Sequence, residues 1–378
     1  MLPAVPRDAI SLADVLQSCV SAVLGAPNRL ELAPVQQAIV VLIDGLGVEA
    51  LRARAGHARV LSAALSPTSI IHSGFPTTTA AAIATLTTGA PPGQHGLVGY
   101  SVLDAAHSRL VNQLTGWDDR LDPLTWQRVP TIFERAADLG VRTAAIGPER
   151  FRDSGYTKAV LRGASYHGAP RIADRMLQAA ELAATGSAEL SYVYVPELDI
   201  ASHAYGWQSR AWFEALEETD AALSRLKAEI GPSTGLLVTA DHGVLDVEPH
   251  SHVLFDSVLA LVDGLRFVAG DPRCLQLHIE SDASPAVRER LLDAWRVSES
   301  SRAWVVSRDE AIAAGWFGDV DPAVRPRIGD IVVAARKNIA YYDSRDTVST
   351  ARSMIGQHGS WSAAETRVPL LRFGAFAG

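Results

Sequence analysis

Three short apolar runs in this chain lead into aspartates: Ile39–Asp44, Ser191–Asp199 and Gly235–Asp241. Each is too short and too rich in β-branched residues for a buried helix, and each reads as a central strand of a parallel sheet. Ligands of open α/β sheets collect beyond the carboxyl ends of the strands. Three carboxylates brought together there repel one another unless cations hold them. Histidines accompany the acids in Asp199-x-x-x-His203, in Asp241-His242-Gly243 and in the glycine-flanked Gly356-Gln357-His358-Gly359. Mixed carboxylate and imidazole ligands suit Zn²⁺ and also Mn²⁺. Any one of these motifs is weak, and their combination points to a metal site.

A hydroxyl stands among them. Phe75-Pro76-Thr77-Thr78-Thr79 precedes Ala80–Thr88, a run of strong helix formers stopped by Gly89 with Pro91 and Pro92 beyond. Thr79 therefore falls at a helix start, read as the N-cap, where the dipole and free N–H groups favour an alkoxide and an incoming phosphate. Further helices are expected at Val48–Ala58, Thr131–Leu139, Pro170–Ala184 and Ser209–Ile230. Their alternation with apolar strands predicts an α/β fold, a three-layer α/β/α sandwich around a largely parallel sheet. Between Val247 and Tyr342 the pattern changes. Leu265–Ala269 and Cys274–Glu280 read as a hairpin, followed by an amphipathic helix at Ser284–Val297, a strand at Trp304–Ser307, a helix capped by Ser307 and two strands around Arg336-Lys337-Asn338. This predicts a smaller α+β cap over residues 247–342, inserted into a core made of residues 1–246 and 343–378.

The 378 residues carry a net charge of −8 and no Lys/Arg-rich block, which argues against a stable nucleic-acid complex. A small phosphate-bearing ligand remains compatible, since divalent ions invert the local field. No apolar run approaches the roughly 20 residues that span a bilayer. Asp8 and Asp14 interrupt the apolar N-terminus, and the two cysteines, Cys19 and Cys274, give no disulfide framework. A cytoplasmic protein is expected.

The order of Asp44, a threonine at a helix start, Asp199/His203, Asp241/His242 and His358 resembles the alkaline phosphatase superfamily, in its nucleotide pyrophosphatase/phosphodiesterase-like branch. The resemblance implies two divalent ions, Zn²⁺ first, with Mn²⁺ or Mg²⁺ as alternatives. It implies that one ion takes Asp199, His203 and His358, and the other Asp44, Asp241, His242 and Thr79. In such proteins the nucleophilic hydroxyl stands ten residues before the glycine that ends its helix, which selects Thr79 and keeps Thr78 as the alternative. The implied chemistry is a phosphodiesterase or nucleotide pyrophosphatase working through a covalent phospho-threonine on a small phosphate ester or nucleotide. A phosphomonoesterase, a phosphonate hydrolase and a non-catalytic metal-stabilised binding protein stay open. Relatives often carry an asparagine twenty-one residues after the nucleophile. Tyr100 occupies that position here, so it is carried over as a catalytic candidate. Phe75 and Tyr205 flank the motifs and are candidates to stack on a base or aryl group, and Arg150, Arg152 and Lys158 are cations that could meet an anionic substrate.

Overall fold

The computed structural model describes residues 2–6, 8–346 and 351–377. A seven-stranded sheet forms its centre, in the spatial order Ile70–His72, Arg367–Gly374, Thr234–Thr239, Gln37–Ile43, Leu190–Val195, Thr143–Gly147 and Ser165–Gly168. Gln37–Ile43 runs parallel to both neighbours, and Thr143–Gly147 is parallel to both of its own. Only the C-terminal strand Arg367–Gly374 pairs antiparallel. The central strands are buried on both faces, as their unbroken apolar runs require. Helices such as Val15–Val23, Ile172–Ala184 and Arg210–Glu229 pack against them through one buried stripe each.

Asp44 and Asp241 leave the carboxyl ends of adjacent parallel strands, as expected. Asp199 does not. Its strand ends at Val195, Pro196 intervenes, and the helix Glu197–Tyr205 begins, so Asp199 and His203 lie one turn apart on a helix face. The expected Val48–Ala58 helix divides into Val48–Ala53 and a short 3-10 turn at Ala55–His57.

The second sheet has the order Ala303–Ser307, Ile331–Ala335, Cys274–Ile279, Leu265–Asp271, Ser101–Asp104 and Arg109–Asn112. The predicted hairpin is present, with Asp271 still paired to Cys274, so the turn is Pro272-Arg273. Leu275, Leu277 and Ile279 enter one apolar cluster, while Cys274 on the opposite face enters another. Two boundaries differ from expectation. The cap sheet recruits the hairpin Ser101–Asn112 from the segment assigned to the core, and Ala340–Tyr342 pairs with His252–Leu254 rather than with Ile331–Ala335. Cap and core are joined by a buried bidentate pair between Arg273, in the hairpin turn, and Glu365, just past the His358 loop.

Candidate metal centre and its cavity

The three threonines after Pro76 do three different things. Thr77 donates from its hydroxyl to the Ser360 carbonyl at 2.8 Å and accepts from the Gly359 N–H at 3.0 Å, tying its loop to the one that carries His358. Thr78, in extended conformation, is the N-cap of the helix Thr79–Thr88. Thr79 is thus the first helical residue rather than the cap, a correction of one position. Its hydroxyl lies 3.2 Å from His242 Nε2. Gly89 ends the helix in the left-handed conformation its position demands. Tyr156 Oη donates to the carbonyls of Thr79 and Ala80 at 3.0 and 3.1 Å, fixing the helix start from its other side.

Around Thr79 the predicted ligands converge in two groups, Asp44/Asp241/His242 and Asp199/His242/His358. His203 joins the second, with Nε2 3.1 Å from Asp199 and 3.3 Å from His358 Nε2. Each imidazole turns Nδ1 toward a backbone carbonyl: His203 to Gly356 and His358 to Thr77 at 2.8 Å, and His242 to Gly243 at 3.3 Å. A donating Nδ1–H leaves a lone pair on each inward Nε2, the tautomer a metal ligand needs. At 3.3 Å the Nε2 atoms of His203 and His358 need a positive charge between them: beside Asp199 a proton stays on His203 when no metal ion is bound, and a cation would take its place. The carboxylates make the same demand. Asp44 Oδ2 accepts from Tyr194 Oη at 2.5 Å and Asp241 Oδ1 from the N–H groups of Gly45 and His242, yet Asp44 Oδ1 and Asp241 Oδ2 are buried with no hydrogen-bond partner. Burial, joined by the charges of Asp241 and Asp199, raises the Asp44 pKa well above the usual carboxylate range. Asp241 rises to about 6, again chiefly from burial. Burial lowers His242 to about 4 and His358 to about 3, which keeps both imidazoles neutral and free to ligate. The residues present fit divalent cations.

On its other side Thr79 opens into a 560 Å³ cavity. Ile83, Leu114, Phe151, Tyr156 and Tyr194 are among its walls, and Arg150 is a cation in them. Arg150 has no carboxylate partner and sits over the Phe151 ring at 4.6 Å, whereas Arg152 is engaged by Glu149. Lys158 belongs to a different hollow. The remaining aromatic expectations fall elsewhere. Phe75 is 2% exposed and stacked on Trp361 at 4.7 Å, so it offers no face to a substrate. Tyr100 borders a separate 370 Å³ hollow, and Tyr205 is 64% exposed at the end of its helix. Neither lines the cavity beside Thr79. His250 lies in a surface turn and His252 packs on Tyr342. The tyrosines that do line the cavity include Tyr192 and Tyr194, whose i, i+2 spacing on a strand put them on one face and was a readable signal.

This sheet, with the carboxylates, imidazoles and hydroxyl gathered at the carboxyl ends of its strands, is a candidate centre for metal-assisted chemistry, and comparison with known proteins narrows the class. Residues 38–361 match the type I phosphodiesterase / nucleotide pyrophosphatase family. The chain belongs to that family. An uncharacterised pyrophosphatase/phosphodiesterase of Schizosaccharomyces pombe is 24% identical over 196 residues, half of this chain but only 40% of that relative. Among solved structures, an inactive variant of murine ectonucleotide pyrophosphatase / phosphodiesterase 5 in complex with AMP superposes with a TM-score of 0.68 at 17% identity, covering 90% of this chain and 88% of the other. Phosphonoacetate hydrolase of Sinorhizobium meliloti 1021, in complex with phosphonoacetate, gives 0.69 at 18% identity over 89% of both chains.

Proposed function

We propose that this protein is a two-metal phosphodiesterase or nucleotide pyrophosphatase with Thr79 as its nucleophile. One observation carries the reading: the Thr79 hydroxyl stands between a buried cluster of carboxylates and imidazoles with unsatisfied oxygens and an aromatic-walled cavity. Asp44, Asp241 and His242 with Thr79 would hold one ion, and Asp199, His203 and His358 the other. The mixed oxygen and nitrogen donors favour Zn²⁺. Bound ions would supply positive charge for the attacking and leaving oxygens and lower the pKa of a nearby hydroxyl or water.

The chain's own residues do the rest. The Thr79 hydroxyl gives up its proton to solvent as Oγ1 bonds to phosphorus, the bond to the leaving oxygen breaks, and the leaving alcohol or phosphate takes a proton from solvent. Water then attacks phosphorus, the Oγ1–phosphorus bond breaks, and the water's proton returns to Thr79. Ala81 and Ala82 donate their N–H groups to the Thr78 carbonyl, which leaves the Thr79 and Ala80 N–H groups as the helix-start donors that would meet a phosphoryl oxygen. The Thr77 latch and the Tyr156 bonds hold Oγ1 in place, so little rotamer freedom is lost in the reaction. The cavity receives the ester's organic group against Phe151, Tyr156 and Tyr194, and small phosphate esters or nucleotides are the substrates this favours. Arg150 supports a second reading, in which that group carries an anion of its own, a phosphate or a carboxylate. Two buried cysteines without a disulfide support a reducing, cytoplasmic location, and among the described residues no helix is long and apolar enough to cross a membrane.

Bis-p-nitrophenyl phosphate turnover with metal analysis tests the proposal. About two ions per chain, and activity lost on chelation and restored by Zn²⁺ or Mn²⁺, is the expected result. Fewer than one ion with no activity after metal addition would leave only a binding protein.

A further inference from the structure

Four arginines converge on a 430 Å³ cavity in the cap. Arg266 comes from the Leu265–Asp271 strand, Arg288 from the helix Pro285–Glu299, Arg308 from the helix Arg308–Ala313 and Arg325 from a 3-10 turn. None of the cavity's lining residues belongs to the metal groups or to the cavity beside Thr79. The local charge is unbalanced. Arg288 and Arg308 share a single carboxylate, Asp330, at 3.4 and 3.0 Å, and Arg325 pairs with Asp309 at 2.6 Å. Among the described residues Arg266 meets no carboxylate: it donates to the Ser108 hydroxyl and lies 5.1 Å from the Phe267 ring centroid. Four guanidiniums thus meet two carboxylates, an excess of two positive charges.

His278 is a second, independent sign. It lines the same cavity, is 2% exposed, and neither of its ring nitrogens has a hydrogen-bond partner. Burial lowers its pKa to about 4, so the ring is neutral at pH 7 and keeps one N–H and one lone pair, both idle. Buried polar groups in folded proteins are normally paired, and an imidazole with both nitrogens unused calls for a partner from outside the chain. The remaining polar groups of the wall do not reach it. A ligand that carries two negative charges would answer the charge excess directly, and the His278 nitrogens, closed off from the open space of the cavity, would reach it by a turn of the ring.

We propose that the cap cavity binds a phosphoryl dianion, either inorganic phosphate or a phosphate monoester, between the forks of Arg266, Arg288 and Arg308 with the His278 ring at its floor. Guanidinium forks match phosphate oxygens in pairs, which an ammonium cannot do. A carboxylate would leave one of the two excess charges unanswered, and a long polyanion is opposed by the chain's net charge of −8. The inference goes beyond the hydrolytic reading and does not depend on it.

Calorimetric titration of the metal-loaded full chain with inorganic phosphate, and separately with AMP, tests it. Two binding events are expected, one at the metal cluster and one at the cap. Arg266→Ala, at an exposed position, should weaken the cap event at least tenfold while leaving bis-p-nitrophenyl phosphate hydrolysis unchanged. His278→Leu should weaken it likewise. Equal cap affinities for the two ligands would assign the site to the phosphoryl group alone, and tighter binding of AMP would assign it to an ester. A single binding event, or a second one indifferent to both substitutions, overturns the proposal. Because the cap event is read by heat and not by turnover, absence of hydrolysis would count against the catalytic reading and leave this one standing.

Discussion

The two halves of the ligand cluster meet at one place but are built on different principles. Asp44, Asp241 and His242 bring two carboxylates to one imidazole, with side chains no more than 3% exposed, from the ends of two hydrogen-bonded strands. Asp199, His203 and His358 bring two imidazoles to one carboxylate, from a helix turn and a distant loop, and His203 keeps 25% of its side chain exposed. The second half answers its own charge. Asp199, despite burial, is held below the usual carboxylate range beside His203, and His203 is carried up to about 9 by Asp199 against the effect of burial. The first half leaves two carboxylate oxygens idle in a buried site. A sheet-mounted, unneutralised pair should therefore depend on its cation more strongly, and a half-open, self-paired one should exchange its cation and admit water more readily.

Thr79 belongs to the first half, and its removal gives the largest effect. Thr79→Ala should lower turnover about 10⁴-fold or more, since a covalent route has no substitute for its nucleophile. Metal content should stay near that of the unsubstituted chain. Thr78→Ala, which changes a helix cap, should act mainly on stability, by roughly 1 kcal/mol. Steady-state rates and elemental analysis on the two variants check this. Full activity in Thr79→Ala with loss in Thr78→Ala would move the nucleophile to the cap position.

Tyr194→Phe sharpens the comparison at the level of metal affinity. The phenol holds Asp44 Oδ2 at 2.5 Å and touches nothing in the second half. Losing such an orienting bond typically costs 10–100-fold in metal affinity or activity. Competition with a chelator should release one ion early and the other at its usual point. Equal weakening of both ions would mean that the halves act as one site.

Much of the first half was legible in the sequence, because a short apolar run ending on an aspartate is a local pattern that parallel pairing preserves. Asp199 and His203 were legible as candidate ligands but not as a helix turn: Pro196, which cannot donate to the ladder, ends the strand sooner than the apolar run suggests. Which threonine does which job was set by contacts that no local pattern contains, such as the Thr77 carbonyl with His358, 281 residues away. Phe75 looked free to meet a substrate for the same reason, since its stacking partner Trp361 lies at the far end of the chain. The membership of Ser101–Asp104 in the second sheet was not legible because it joins that sheet through pairing at Gly270, a link that hydrophobic periodicity does not register.

A smaller effect is expected in substrate choice. A monoester brings one more negative charge than a diester, and the first-half carboxylates repel it. The organic group of a diester has apolar walls to rest on. With matched p-nitrophenyl leaving groups, kcat/KM should favour the diester by about tenfold, or ~1.4 kcal/mol. Arg150 is the side chain able to reduce that preference, so Arg150→Ala should widen it. A tenfold preference for the monoester in the unsubstituted protein would instead assign the site to a phosphatase.

The smallest effect concerns stability and pH, and it separates the halves without any substrate. A carboxyl whose pKa is higher in the folded than in the unfolded chain binds more protons when folded. Its contribution to stability is present at low pH and is lost as pH rises from the unfolded value near ~4 through the folded one. Asp241, raised to about 6, and Asp44, raised further by the same burial, place that loss in the first half, beginning between pH 4 and 6. His203 has the same sign but a later window, losing its contribution as pH rises from ~6.5 through about 9. Asp199, held low, has the opposite sign, and its change is nearly complete below pH 5. His242 and His358, lowered to about 4 and about 3, have the opposite sign and gain stability over the same interval, so the carboxylate is read as a difference: relative to stripped Asp241→Asn, the stripped parent should lose several degrees of Tm between pH 4 and 6. Bound cations replace the missing protons, so the difference between the loaded chains should not change over that interval. Thermal melts of both chains, stripped and loaded, check this. A stripped difference that is flat to pH 6 and falls only above pH 7 would place the unmet charge beside His203, reversing the assignment of the cation-dependent half.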